Sequence, residues 1–405
     1  MKIKLLKLKY SYLFAFAMIF TVAEGLYAQR NFKIIGYLPT YCWSYIPTLD
    51  FGKVTHVNLS FANPNANGNL VYSQKISDVV VPAHKKNTKV FISIGGGSVT
   101  STVLAYYTNR LKPENRDVFV KNLITFVIDN NLDGIDVDFE NDALLVPYYN
   151  EFVVQLSTEL HKVGKEISAA VARWSGDRIN KSTLDSFDWI SLMCYDVTAP
   201  WRPETPGPHA PMSKVTSDFA YWNSTRQVDG KKITIGVPFY GYEFVNPTTV
   251  NELTFNEIVT LYPGSEYTDV VNGNLYYNGI PTITQKTEFA FQNAGGIMFW
   301  QWGQDATGSK SLLTAIYNKT ISLKTDIKQV TLTDKIYINQ ITHHLIIELL
   351  QSDVCTIEIY SIFSTKMLSN VFQSHSEICT DNWQRGLYVV KLNVNERTQV
   401  VKIII

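Results

Sequence analysis

The stretch LDGIDVDFEND, residues 132–142, alternates acidic with apolar side chains. Asp136, Asp138 and Glu140 share one parity, and the residues between them are Val137 and Phe139. Because successive side chains of a β-strand point to opposite faces, the three carboxyl groups share one face. The pattern predicts a strand with its apolar face against helices and a column of carboxyl groups on the other, with neighbours about 6 to 7 Å apart.

This stretch has three possible interpretations. A solvated acidic loop would not alternate with Ile, Val and Phe. A calcium loop would need a turn-forming glycine, ligands that converge from a loop and a bidentate glutamate at the right offset, and this segment lacks that arrangement. The alternation therefore favours a catalytic array, in which repulsion from ionised neighbours raises one carboxyl pKa and keeps that group protonated as a general acid. Glu140 has the longest reach and is the expected acid, with Asp138 orienting the group beside it.

Short apolar runs typical of strands recur through the first three quarters of the chain, and helical patterns separate most of them. Strands that alternate with helices pair in parallel, and eight such units predict a closed (β/α)8 TIM barrel. An open doubly wound sheet is the alternative, but SIGGGS lacks the glycine spacing of a dinucleotide loop. The eight runs are KIIGYL (33–38), THVNLSFA (55–62), KVFISIG (89–95), LDGIDVDFE (132–140), ISAAVA (167–172), FDWISLMCY (187–195), KITIGVPFY (232–240) and GGIMFWQW (295–302).

Composition excludes several classes of protein. The 405 residues include 36 basic and 36 acidic side chains, and this zero net charge argues against a nucleic-acid binder. The four cysteines fit no zinc motif, so we expect no metal and no cofactor. Cys355 and Cys379 could pair in an oxidising compartment, which sequence alone does not establish. The adjacent His343 and His344 are expected to lie on a strand.

The chain is expected to have three parts. Residues 1–28 have the basic start, short apolar run and small-residue cleavage site of a signal peptide, with an uncleaved anchor as the alternative. Residues 31–320 would form the catalytic barrel. Residues 321–405 contain strand-type runs without helical patterns between them, which predicts a small all-β, sandwich-like domain.

Several motifs resemble those of one known family. DGIDVDFE (133–140) is similar to the DGxDxDxE signature of glycoside hydrolase family 18, the chitinases and related endo-β-N-acetylglucosaminidases. Four further segments resemble motifs of that family in the same order along the chain, spanning residues 31–320. They are SIGG (93–96) on the third strand, MCYD (193–196) on the sixth, GVPFYG (236–241) on the seventh and GGIMFWQWGQD (295–305) on the eighth.

The resemblance implies a retaining mechanism in which the substrate's own 2-acetamido group is the nucleophile. Glu140 would protonate the glycosidic oxygen, and Asp138 would hold the acetamido N–H, with Asp136 behind it sharing a proton. Tyr195 would donate to the acetamido oxygen, and Asp196 would contact the distorted sugar. Asp133 has the other parity and is expected to be structural.

Further residues are expected to bind the substrate. The resemblance makes Trp300 the floor beneath the reacting sugar. Tyr37, Phe61 and Met193 lie at strand ends and are candidates for lining the pocket, with core packing as the alternative. Gly95 and Gly96 would let a ligand ring approach the backbone. Candidate subsite rings are Trp43, Trp174, Trp201 and Trp302.

One departure from the family affects the expected activity. About 50 residues separate Tyr242 from Gly295, so only a small lobe can form where many members of the family insert a larger module. We therefore expect an open groove and endo-type cleavage.

The C-terminal end, WQRGLYVVKLNVNERTQVVKIII (383–405), resembles the sorting domains of type IX secretion, and a carbohydrate-binding sandwich is the alternative.

The expected function is a secreted chitinase that acts as a monomer on chitin-type polymers of N-acetylglucosamine, with the secretion machinery as a further partner. One alternative is an endo-β-N-acetylglucosaminidase that cuts the chitobiose core of N-glycans. Another is a chitinase-like lectin that binds without cleaving. Such lectins typically lack the acid of the fourth strand, whereas Glu140 is present.

Overall fold

The computed structural model describes residues 32–325, 333–338, 343–349, 353–361, 365–384, 386–394 and 397–404. The chain forms two units, which divide between Leu323 and Lys324. The expected signal peptide, residues 1–28, lies outside the described residues. Within the ranges given above, no helix is both long enough and apolar enough to cross a lipid bilayer.

The first unit contains a closed barrel of eight parallel strands, which confirms the predicted fold. Each strand pairs with its neighbours in the chain, and the first pairs with the eighth to close the barrel. The strands are β1 (Lys33–Pro39), β2 (His56–Ser60), β3 (Lys89–Gly95), β4 (Gly134–Asp138), β5 (Glu166–Val171), β6 (Trp189–Leu192), β7 (Ile233–Pro238) and β8 (Gly296–Trp300).

Helices follow the barrel strands. Pro113 begins the longest of those described, because its fixed φ and missing N–H suit the first helical turn. Thr254 and Glu257 form a capping box at the start of another. The helices are α1 (Ser77–His84), α2 (Ser101–Arg110), α3 (Pro113–Asp129), α4 (Asp142–Leu145), α5 (Tyr149–Lys162), α6 (Lys181–Ser186), α7 (Met212–Ala220), α8 (Phe255–Leu261), α9 (Ile280–Asn293) and α10 (Leu312–Thr325).

The two faces of β4 separate as its alternating pattern predicts. Ile135, Val137 and Phe139 are buried in the apolar layer between barrel and helices, where Phe139 stacks on Phe152 of α5 with ring centroids 6.2 Å apart. Asp136 and the carboxyl groups that follow it point the other way, into the barrel. The strand ends at Asp138, so Glu140 lies just beyond it at the carboxyl end of the barrel, where TIM-barrel enzymes place their active sites.

A small lobe lies between β7 and α9, as expected from the short insertion. It is a four-stranded antiparallel sheet with α8 packed beside it. Two strands form its main hairpin and two short strands complete it: Tyr240–Asn246, Thr249–Thr254, Val270–Val271 and Leu275–Tyr276. A further two-stranded ribbon, Asn63–Pro64 with Leu70–Val71, follows β2.

The second unit contains two antiparallel sheets, which confirms the predicted all-β class. Leu345 and Ile347 of one sheet share an apolar core with Ile357 and Val390 of the other. The strands are β9 (Thr333–Ile338), β10 (His344–Leu349), β11 (Val354–Ser361), β12 (Lys366–Gln373), β13 (His375–Cys379), β14 (Leu387–Val394) and β15 (Arg397–Ile404). The strand-type runs in the sequence did not reveal β12 and β13. Most side chains of β12 are exposed, and its apolar residues come in adjacent pairs, Met367 with Leu368 and Val371 with Phe372, instead of alternating with polar ones.

The possible disulfide between Cys355 and Cys379 is not formed. Both residues are free thiols, with Cys355 buried and Cys379 exposed. The Cys379 sulfur lies 3.4 Å from a carboxylate oxygen of Asp381. The expectation that both histidines lie on a strand holds only for His344, which begins β10 and whose Nδ1 atom lies 2.8 Å from Glu377. His343 precedes the strand and has a backbone φ of 51°.

Candidate active site

Asp136 forms the buried base of the carboxyl column. Three hydroxyl groups donate to its carboxylate: Tyr37 at 2.6 Å, Ser93 at 2.7 Å and Ser168 at 2.7 Å. Burial raises the pKa of Asp136, and these hydrogen bonds oppose that increase because they favour the charged form. Tyr37 is therefore fixed by its contact with Asp136 and presents its ring to the cavity above.

Asp138 is the next carboxyl group of the column, two residues after Asp136. It is 3% exposed, and its pKa is raised well above the usual range by burial and then by the charges of Glu140 and Asp136. Among the described residues its Oδ1 atom has no hydrogen-bond partner, although Asp138 lines a cavity. A buried carboxyl oxygen without a partner is costly, which makes it a ready acceptor for a ligand N–H or O–H.

Glu140 is placed at the mouth of the barrel. Burial and the nearby charge of Asp196 raise its pKa from 4.5 to about 7, while a hydrogen bond from the backbone N–H of Gly97 opposes the increase. A carboxyl group with this pKa is a good proton donor and acceptor near neutral pH. Glu140 therefore has the electrostatic character of a general acid.

Asp196 follows β6 and is held by three side chains from two other segments. Its Oδ1 atom accepts hydrogen bonds from Tyr240 at 2.8 Å and Tyr242 at 3.1 Å, and lies 3.4 Å from Nδ1 of His209. His209 is fully buried, and its other ring nitrogen lies 3.2 Å from the Tyr240 carbonyl oxygen. Asp196 has a backbone φ of 60°, a conformation that aspartate tolerates better than most residues.

The sequence did not single out Tyr240, Tyr242 or His209. Tyr240 lies inside the GVPFYG segment, so the resemblance of that segment to a family motif could have identified it. His209 lies 13 residues after Asp196 in an irregular segment, and no local pattern marks it.

Aromatic rings surround the carboxyl column. Trp300 stacks on Phe61, with centroids 5.8 Å apart and planes inclined by 18°, and is tilted against Tyr37 at 5.5 Å. Met193 and Tyr195 pack against the same cluster. The structure therefore brings these five predicted substrate-contacting side chains together. The Ser60–Phe61 and Trp300–Gln301 peptide bonds are cis.

Two adjoining cavities open at this end of the barrel. The inner cavity, of about 460 Å³, is lined by Asp138, Trp300, Phe61, Tyr41 and Glu252 among others. The wide cavity, of about 760 Å³, is lined by Arg173, Trp174, Arg202 and Lys214 among others. Both volumes lie in the range of ligand-binding pockets. The residues that line both cavities are Glu140, Met193, Tyr195, Asp196 and Trp201.

Gly97, rather than Gly95 or Gly96, faces the inner cavity. A Cβ atom on Gly95 would lie 2.2 Å from the Asp138 carbonyl oxygen, and one on Gly96 would lie 2.7 Å from the Phe61 ring. Both residues also have positive φ, at 102° and 93°. The expectation that they admit a ligand is therefore replaced by a structural explanation: they let neighbouring strands and the Phe61 ring pack closely.

The four candidate subsite tryptophans differ in position. Trp302 is 5% exposed and packs edge-on against Phe51 and Phe299, so it belongs to the core. Trp43 packs against Tyr72 and lines neither of these cavities. Trp174 and Trp201 are 50% and 67% exposed and line the wide cavity.

Asp133 has the structural role expected from its parity. Its Oδ2 atom accepts a hydrogen bond from the backbone N–H of Val90 at 2.7 Å and lies 2.8 Å from Nε2 of His84. These contacts join the start of β4 to β3 and α1, away from the carboxyl end of the barrel.

A parallel barrel with closely spaced carboxyl groups in an aromatic-lined cleft is an architecture typical of glycoside hydrolases. Comparison with known families gives the assignment. Residues 33–305 match glycosyl hydrolases family 18, and the chain belongs to that family. Residues 335–405 match the secretion system C-terminal sorting domain, which indicates type IX secretion to the cell surface or the surrounding medium.

Solved structures agree with this assignment. The chitinase ChiB from the chitin utilization locus of Flavobacterium johnsoniae is 38% identical, with a TM-score of 0.70 over 73% of this chain and 96% of that protein. A chitinase from Bacteroides thetaiotaomicron is 29% identical, with a TM-score of 0.63 over 72% of this chain and 97% of that protein.

More distant relatives share only part of their length with this chain. "Probable chitinase 10" of Drosophila melanogaster is 27% identical over 57% of this chain, and the match spans 12% of that protein. A chitinase-like effector of Moniliophthora perniciosa is 27% identical over 49% of this chain and 53% of its own length. The chain thus spans about half or less of the length of these two relatives.

Proposed function

We propose that this protein is a secreted chitinase that cleaves β-1,4 bonds between N-acetylglucosamine residues by substrate-assisted, retaining catalysis. The observation that carries the proposal is the pair formed by Glu140 and Asp138. The pKa of Glu140 is raised to about 7, so this group can donate and accept a proton near neutral pH, and the Oδ1 atom of Asp138, for which the described residues offer no donor, lines the adjoining cavity. One carboxyl group can donate a proton while the other receives an acetamido N–H.

In the first step Glu140 donates its proton to the glycosidic oxygen, and the bond from the anomeric carbon to that oxygen breaks. The carbonyl oxygen of the substrate's 2-acetamido group forms a bond to the anomeric carbon, giving an oxazolinium ion. Asp138 accepts the acetamido N–H and faces the developing positive charge. Because its site penalises an isolated carboxylate, Asp138 is stabilised most when this cation forms beside it.

In the second step the Glu140 carboxylate takes a proton from water. The water oxygen bonds to the anomeric carbon, and the bond to the acetamido oxygen breaks. Two inversions at the same carbon give overall retention of configuration. Glu140 returns to its protonated form, so the cycle is balanced without a metal or cofactor.

The surrounding residues support this assignment of roles. Trp300 and Phe61 present apolar surface beneath the position of the reacting sugar. Tyr195 lines both cavities beside Glu140 and can donate to the acetamido oxygen. The lobe between β7 and α9 contributes only Tyr240, Tyr242 and Glu252 to the wall of the inner cavity. A low wall of this kind favours cleavage within a chain.

The test replaces Glu140 with Gln, which keeps the shape and removes the acid. We expect kcat to fall at least about 100-fold on chito-oligosaccharides, since general acid catalysis contributes about 10² to 10⁴. Near wild-type turnover in the E140Q variant would refute the assignment. Assays of the wild-type enzyme on colloidal chitin and on a high-mannose glycoprotein separate the alternatives: cleavage of the glycoprotein alone indicates an endo-β-N-acetylglucosaminidase, and binding without cleavage indicates a lectin.

A further inference from the structure

His209 is a fully buried histidine, and each of its ring nitrogens faces an oxygen atom. The Nε2 atom lies 3.2 Å from the carbonyl oxygen of Tyr240, and the Nδ1 atom lies 3.4 Å from Oδ1 of Asp196. A carbonyl oxygen only accepts hydrogen bonds, so Nε2 carries a proton. A neutral imidazole has no second proton, and its bare Nδ1 would then face the Asp196 oxygen with no hydrogen between them. The contact between His209 and Asp196 therefore requires a second proton.

The surroundings of Asp196 decide which of the two side chains holds this proton. The hydroxyl groups of Tyr240 and Tyr242 both donate to Oδ1 of Asp196, at 2.8 Å and 3.1 Å. Hydrogen bonds donated to a carboxylate stabilise its charged form. Asp196 is therefore the ionised partner, and the second proton stays on His209 and gives its ring a positive charge.

Two tyrosine rings enclose the His209 ring. Its centroid lies 5.1 Å from that of Tyr240 and 4.9 Å from that of Tyr242. A ring packed in this way has few alternative orientations, so its hydrogen bond to Asp196 costs little conformational entropy.

The backbone around His209 is anchored at two points. The backbone N–H of Val197 donates to the His209 carbonyl oxygen at 2.9 Å. The Nζ atom of Lys286, on α9, donates to the Ala210 carbonyl oxygen at 2.7 Å and to Oδ1 of Asn278 at 2.6 Å. Lys286 is itself fully buried, a position that lysine occupies only when it is well paired. Because His209 lies in the irregular segment between β6 and α7, these hydrogen bonds fix its position.

We propose that His209 is a positioning residue for the reaction: its positive ring donates from Nδ1 to Asp196 and holds that carboxylate in place beside Glu140. His209 lines neither the inner nor the wide cavity, so it acts through Asp196 and does not touch the substrate. The inference rests on the proposed function, in which Glu140 is the acid and Asp196 contacts the distorted sugar.

The positive ring also has an electrostatic consequence. The charge of Asp196 raises the pKa of Glu140, and the ring offsets part of that charge. Removing the ring should therefore raise the pKa of Glu140 further. The other charged and titratable groups that face this pair are Tyr240, Tyr242 and Glu252 of the lobe, Tyr195 beside Asp196 in the chain, and Lys286 of α9.

The test measures kcat/KM on chitohexaose against pH, between pH 5 and pH 9, for the wild-type protein and the H209Q variant. Gln can keep a donor near the Tyr240 carbonyl oxygen, but it brings no positive charge to Asp196. We expect the fall of kcat/KM at high pH to move upward by about 0.5 to 1 pH unit. A purely structural role would instead lower kcat/KM by the same factor at every pH. Burial lowers the pKa of Lys286 to about 8, but every protein compared keeps this group, so its titration is common to all the profiles.

Three further variants make the result specific. H209F fills the same space without a donor and should show the same movement as H209Q. The double variant D196N/H209Q should have the profile of D196N, because without the carboxylate His209 has no acceptor for its second proton. H161Q is the matched control: His161 is half exposed, and its Nε2 atom lies 3.0 Å from Asp188, at the opposite end of β6 from Asp196. H161Q should have the wild-type profile.

A second measurement reads the proton directly. In nitrogen-15 NMR of the wild-type protein labelled at histidine, both ring nitrogens of His209 should carry a proton at pH 6. A bare Nδ1 would overturn the proposal, as would an H209Q profile that coincides with the wild-type profile or moves to lower pH. A movement in D196N/H209Q relative to D196N would show that His209 does not act through Asp196, which also overturns it. The NMR reading needs no catalysis, so a wild-type protein that cleaves no chitohexaose refutes the proposed function and leaves the protonation of His209 to be judged separately.

Discussion

Glu140 should make the protein less stable as the pH rises, and its replacement by Gln should remove that effect. Its pKa is about 7 in the folded protein, against an ordinary value of 4.5. The folded state therefore binds this proton more tightly than the unfolded state does. The contribution of Glu140 to stability is fully present below pH 4.5 and is lost as the pH rises through about 7.

The size of the effect follows from these two values. Each pH unit between them corresponds to about 1.4 kcal/mol, so full ionisation of Glu140 costs about 3 kcal/mol. Between pH 5 and pH 8 the wild-type protein should lose about 2.5 kcal/mol relative to E140Q, because Gln carries no charge at either pH. For a domain of this size the difference corresponds to about 5 °C in Tm.

The assay is thermal or urea unfolding of the wild-type protein and the variant at pH 5 and pH 8. E140Q should gain in relative stability at pH 8 while losing catalysis, as expected where an active site stores electrostatic strain. Glu151 is exposed on α5, and E151Q is the matched control that should follow the wild-type pH dependence. Parallel stability curves for E140Q and the wild-type protein would refute the assigned pKa.

Three other outcomes are expected. The wild-type kcat/KM should fall as the pH rises above about 7, and D196N should move this fall to lower pH, because the charge of Asp196 raises the pKa of Glu140. Measurements of kcat/KM against pH check both outcomes, and a D196N profile that coincides with the wild-type profile would contradict the coupling. D138N should lower kcat about 100-fold or more with little change in Tm, whereas D133N should cost about 1 to 3 kcal/mol in urea unfolding without changing kcat. G97A should lower kcat while the circular dichroism spectrum stays unchanged, because its Cβ atom would lie 2.9 Å from the Glu140 carboxylate.

Much of the barrel could be predicted from local patterns. Each of the eight strands lies within or beside its predicted run, because alternating or continuous apolar residues report directly on burial at each strand position. The strand boundaries were less accurate at the carboxyl ends. Glu140 and Tyr195 lie beyond β4 and β6, where the chain leaves the sheet to form the cleft.

The roles of individual glycines and tryptophans depended on packing. Gly95, Gly96 and Gly97 are consecutive and chemically identical, yet only Gly97 lines the inner cavity. Trp302 and Trp174 both follow barrel strands, but one is core and the other half exposed. No sequence pattern separates these cases, because the difference lies in which distant side chain occupies the adjacent space.

The sequence by itself determined the fold class, the family and the column of Asp136, Asp138 and Glu140. The column could be predicted because side chains two residues apart on a β-strand point to the same face of the sheet. The tertiary structure alone decided the surroundings that give those carboxyl groups their chemistry. Tyr37, far away in the chain, reaches Asp136, and Tyr240 reaches Asp196 from the lobe. These contacts join segments that only the closed barrel brings together, and burial, which sets the pKa values, is a property of the assembled fold.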